Sequence, residues 1–157
     1  MIDVNVARYL GRVRGGEEQL ADALTHLASR HAAEPDVTSM LTRFADWSRT
    51  HIVRIDRFAS DPAEQDSEDP QRLRSSLYDD ARTGGVGLVQ DLHDLSVQIN
   101  SVRLGYQILE QVAKGMHNTE LETTSSSSGQ DLDRMTKWTK TKLKQAAPQA
   151  LLVPADT

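Results

Sequence analysis

Cysteine is absent from the 157 residues, which excludes disulfides, thiolate zinc sites, iron–sulfur clusters and a cysteine nucleophile. Aromatics make up 4%, and glycine and proline number 9 and 5, a composition that suits an all-helical domain. No apolar run approaches the ~20 residues of a membrane span, so no membrane association is expected. Positive charge is not in excess. A net charge of -5 argues against nucleic acid as a partner. The start, Met1 to Asn5, has neither the basic nor the apolar region of a signal peptide, and a cytoplasmic protein is expected. There is no glycine-rich phosphate loop and no turn motif for a hydrolase triad. What is present is 38% hydrophobic and 26% charged residues in a chain of single-domain size. A chain this long buries about 68–70% of its unfolded surface, enough for one core without staples.

Hydrophobic periodicity defines four helices. The first runs from about Asp3 to His31, with Val6, Leu10, Val13, Leu20, Leu24 and Leu27 along one seam and Glu17 in its one vacancy. Pro35 and Asp36 signal the start of the second, which reaches about Ser60 through Val37, Leu41, Phe44, Ile55 and Phe58. Its vacancies are Ser48 and His51. The third runs from about Val86 to Met116, with an unbroken seam from Leu88 through Leu92, Leu95, Ile99, Val102, Tyr106 and Leu109 to Met116. Gly115 and Asn118 mark its end. The fourth runs from about Thr119 to Ala147, where Pro148 is expected to stop it. Residues 1–147 then form one domain and 148–157 a tail. The Ser/Thr run at 123–128 has poor helix propensity. It reads either as a linker or phosphosite cluster, or as a small-residue face that lets a neighbouring helix approach.

Two short connections make antiparallel hairpins of helices one and two and of helices three and four. The middle connection, residues 61–83, is acidic and proline-flanked at first. A short helical repeat at Leu73, Leu77 and Ala81 follows. It is long enough to cross from one end of the bundle to the other. A plain up-and-down bundle does not need that length.

The first hairpin fixes which residues face each other. Leu10 meets Phe58, Val13 meets Ile55 and Leu24 meets Phe44. In the middle Glu17 meets His51, and Leu20 meets Ser48. A carboxylate in a core costs several kcal/mol unless it is paired, and His51 is the natural partner.

A seam Glu in one helix and a histidine motif in the next resemble the ferritin-like di-iron carboxylate pattern. That pattern places a Glu on each of two helices and Glu-x-x-His on each of the other two. Glu17 matches the first Glu. Ser48-Arg49-Thr50-His51 matches the second motif in spacing, with Ser where the bridging Glu belongs. The second hairpin departs from the pattern. Ile99, Val102 and Leu132 fill the level of the remaining carboxylates. Glu122-Thr123-Thr124-Ser125 and Asp131-Leu132-Asp133-Arg134 both lack the histidine, and Asp91 lies about two turns away. The resemblance implies an all-α, ferritin-like four-helix bundle over residues 3–147, two antiparallel hairpins joined by a long crossover, without a complete di-iron site.

Other candidates carry less. His26 and His93 fall off the seams and read as solvated, while His31 and His117 stand at helix ends. Lys137, Lys140, Lys142 and Lys144 form a basic run where the helix dipole favours cations, with an acidic protein partner as the sharper reading. Helix three bears a second apolar line, Val97, Leu104, Ile108 and Val112. Either the 70–83 segment covers it or a second copy of the chain does, and a homodimer is the expectation. The function expected from all this is non-catalytic association or adaptor work, with no cofactor. One alternative is iron or manganese bound through Glu17 and His51. Another is a small ligand bound around Tyr106.

Overall fold

A computed structural model describes residues 3–59 and 84–152. All regular structure among them is helical. Helix α1 spans Val4–Arg30, α2 Pro35–Asp56, α3 Gly84–Gly115 and α4 Thr119–Leu152. The crossover and short helix expected over 61–83, and the residues beyond 152, lie outside the described residues.

Local chemistry sets the ends. The Asp3 carboxylate accepts the Asn5 amide at 2.7 Å and opens α1. Pro35 occupies the first turn of α2, where its missing N–H is not needed. Between them the Thr38 hydroxyl donates to the Ala28 carbonyl at 3.1 Å, tying the hairpin shut. In the second hairpin the left-handed position falls on His117, with φ 56°, and not on Gly115 or Asn118. The Asn118 amide then reaches back to the Ala113 carbonyl at 2.9 Å, a Schellman closure. The Asn118 side chain accepts the Leu121 amide and caps α4.

Pro148 does not stop α4. It lies inside a helix that continues to Leu152. The amide it lacks would have met the carbonyl of Lys144, an exposed residue whose carbonyl water can satisfy. The last turn gains packing in return, because Ala150 lies against Gly85 at the start of α3. The bundle therefore extends past residue 147.

Named contacts give the helix directions. Arg30 and His31 at the end of α1 meet Asp91 near the start of α3, and Gly16 lies against Val102 further along. These two helices are antiparallel. Asp36 of α2 meets Lys142 of α4, and His51 meets Asp131, so that pair is antiparallel too. Going round the bundle the order is α1, α2, α4, α3, and the diagonal helices α2 and α3 run parallel. The end of α2, where Asp56 meets Arg14, is therefore opposite the start of α3, where Gly85 and Glu34 border one recess.

The core follows the seams. Leu20, Leu24, Leu41, Leu92, Leu95, Ile99, Leu109 and Leu132 are shut off from solvent. Phe44 packs edge-on to Trp138, with ring centroids 5.7 Å apart. Helices α1 and α3 approach closely at two glycines. A β-carbon on Gly105 would stand 2.8 Å from Val13, inside any tolerable contact.

Candidate functional site: a buried ionic layer

Halfway along the bundle, the two seam vacancies of the first hairpin meet. Glu17 and His51 are 0% and 1% exposed, and His51 Nδ1 lies 2.7 Å from Glu17 Oε1. The other helices close the layer. Tyr106 of α3 donates its hydroxyl to the same Glu17 oxygen at 2.9 Å. Asp131 of α4 accepts from His51 Nε2 at 2.9 Å and receives Arg134 on its other oxygen at 3.0 Å. The rings of Tyr106 and His51 stand edge to face.

This geometry fixes the state of the imidazole. Each ring nitrogen faces a carboxylate, and only the doubly protonated ring donates to both. Burial alone pulls the His51 pKa down. The hydrogen bonds and charges of Glu17 and Asp131 outweigh it and hold the pKa above the ordinary 6.5. Burial, reinforced by the charge of Glu17, pushes the Tyr106 hydroxyl well above its usual 10. Tyr106 is therefore a neutral donor, and His51 a cation held between the Glu17 and Asp131 carboxyl groups.

Metal ligation needs something else. An imidazole ligand offers a lone pair, so it must be neutral at the nitrogen it uses. Here both nitrogens are spent on carboxylates, and Glu17 Oε1 already accepts two protons. Among the described residues no group of three or more His, Asp or Glu side chains is disposed to hold an ion. As arranged, both His51 nitrogens and Glu17 Oε1 are engaged by protein partners, while Glu17 Oε2 is buried without a hydrogen-bond partner. Tyr106, the centre of the small-ligand alternative, is 1% exposed, with its hydroxyl engaged by Glu17.

The Ser/Thr run lies on α4. Residues 123–128 are helical, and Ser125 and Ser128 are buried, so the run is a small-residue face. Beside it Gly129 leaves room for the Arg103 guanidinium, which donates to Asp133 at 2.8 Å.

A second buried cluster escaped the sequence reading. Asp91, 0% exposed, meets His31 Nε2 at 2.6 Å, and Arg30 Nη1 lies 3.2 Å from the same Asp91 oxygen. His31, read as a helix-end residue, is 5% exposed and is a hydrogen-bond partner of Asp91 as well as the residue closing α1. The signal was there: Asp91 stands beside the seam, one residue before Leu92, at a position that is itself buried. It becomes readable once α3 is laid against α1 and not only against α4. His26 and His93 are exposed, as their positions off the seams suggested.

The apolar line on α3 divides. Val97, Leu104 and Ile108 are 47%, 50% and 45% exposed, whereas Val112 is half-buried. No helix among the described residues is long and apolar enough to cross a membrane. No protein-family model, curated protein or solved structure matches the chain.

Proposed function

We propose that the chain is a ferritin-like bundle that carries an ion triad where a di-iron centre would stand. We propose further that it works by association, as a homodimer joined through the outer face of α3. The ferritin-like part is supported by the helix directions: parallel α2 and α3 on the diagonal, with the ends that the crossover joins at opposite poles. The non-catalytic part is supported by the central layer, whose Glu17, His51 and Tyr106 bond to one another away from solvent and present no reactive atom to a substrate.

The observation that carries the dimer is the exposed surface of α3. From Val97 to Gln111 every exposed residue is uncharged: Val97, Asn100, Ser101, Leu104, Gln107, Ile108 and Gln111. About a quarter of the whole chain is charged, at 26%, so a clear strip of this length is unusual for a solvated face. A two-fold interface brings a surface against itself, so a charge close to the axis meets its like. This face meets none. Covering three half-exposed side chains contributes about 1 kcal/mol each, less than the cost of association, so the interface must extend over the flanking amides.

Light scattering with Ile108→Glu tests the reading. The wild type is expected to be a dimer and the variant a folded monomer, because the new charge would be desolvated without a partner. A wild type that stays monomeric at high micromolar concentration overturns it.

A further inference from the structure

The second half of α4 carries charge of one sign. Residues 134–152 hold Arg134, Lys137, Lys140, Lys142 and Lys144 and no acidic residue, which leaves thirteen basic against twenty-three acidic side chains over the rest of the chain. Four of the five lysines of the protein lie within one stretch of eight residues. Their uses differ. Lys142 turns inward to Asp36 at 2.6 Å. Lys137, Lys140 and Lys144 are exposed and make no ion pair among the described residues.

Helical geometry puts these three on one line. Lys137, Lys144 and Leu151 follow each other at steps of seven, with Lys140 between, all within an arc of about 60°. The line is about 21 Å long at the helical rise per residue. Its far end is apolar, since Leu151 and Leu152 are 61% and 79% exposed. The helix dipole explains cations in a last turn. It does not explain Lys137, which stands four turns from the end, or the apolar terminus.

We infer that the Lys137–Lys140–Lys144–Leu151 line of α4 is a docking surface for an acidic segment of a partner protein, one that carries apolar residues after its carboxylates. Charge complementarity selects the sign of the partner, and the narrowness of the line selects its shape. On the α2 side Asp36 stays 58% exposed beside Lys142, and Asp133 at the near end of the line is 59% exposed. A flat anionic surface would meet these carboxylates and the net negative charge of the remaining chain. An elongated segment meets only the lysines and the leucine pair.

Fluorescence anisotropy with a labelled peptide, Glu-Glu-Glu-Glu-Glu-Glu-Leu-Leu, tests the inference on the full chain. The peptide is expected to bind, and the combined Lys137→Gln, Lys140→Gln and Lys144→Gln variant to bind it at least about tenfold more weakly. Raising sodium chloride from about 50 to about 500 mM should have a similar effect. Lys114→Gln, on α3, should change nothing. Ile108→Glu should keep the peptide affinity whatever its oligomeric state, which separates this inference from the dimer. No peptide binding, equal binding by the triple variant, or binding to vesicles of equal parts phosphatidylserine and phosphatidylcholine in place of the peptide overturns it.

Discussion

The two buried ionic clusters are inversions of each other. In the central layer one basic ring, His51, lies between two carboxyl groups, Glu17 and Asp131. At the end of the bundle one carboxyl group, Asp91, lies between two basic side chains, His31 and Arg30. The difference teaches where each cluster is vulnerable: at its shared member, whose loss takes a bond from two partners at once. The surroundings differ as well. Glu17 has no path to water, whereas Arg30 keeps 13% of its side chain exposed and touches the exposed His26. A stranded Glu17 must stay buried, but a stranded Arg30 can turn outward.

The comparison can be broken in order of expected effect. His51→Ala should be the most damaging, at about 3–5 kcal/mol in urea denaturation, because it leaves a buried carboxylate with one neutral donor. Asp91→Ala should cost about 2–3 kcal/mol, less than a sealed site because Arg30 recovers its solvation. If Asp91→Ala proves equal or worse, the difference in solvent access is not what separates the clusters. The smallest effect is that of pH. The folded state holds the His51 proton more tightly than the unfolded chain, whose value is near 6.5. The stability it adds is therefore complete below that value, and is lost as the pH rises through the higher folded value. Denaturation midpoints should fall from about pH 6 to about pH 8, and His51→Gln should flatten that fall. A midpoint that rises over this range in the wild type would contradict the imidazolium.

The helices and the Glu17–His51 contact were legible because they rest on local facts. A seam vacancy is visible in sequence, and a short turn fixes which vacancies face each other. Asp131 was not legible in this way. It stands one residue before the seam position Leu132, and its partner is on α2, which no short turn joins to α4. The hydroxyl of Tyr106 was hidden for the same reason, since the ring fits an apolar seam and its donor role depends on α1. His31 and Asp91 are sixty positions apart, and each alone looks like an ordinary helix residue. Pro148 misled in the other direction. Its local signal is a stop, and the packing of Ala150 on Gly85 overrides it. Sequence thus exposed what neighbouring helices do to each other and concealed what distant ones do.

The glycine notches between α1 and α3 have a consequence for the order of assembly. Each hairpin joins helices across a turn of a few residues, so its contacts form at small loop-closure cost. Gly16 with Val102, and Gly105 with Val13, join positions roughly ninety residues apart. The entropy of closing that long span falls on this seam, where close backbone approach, the Tyr106–Glu17 hydrogen bond and the Asp91 cluster offset it. The two hairpins can collapse early and independently. Their docking at the notches is then the slow event, and the one that contact order makes the clock of folding.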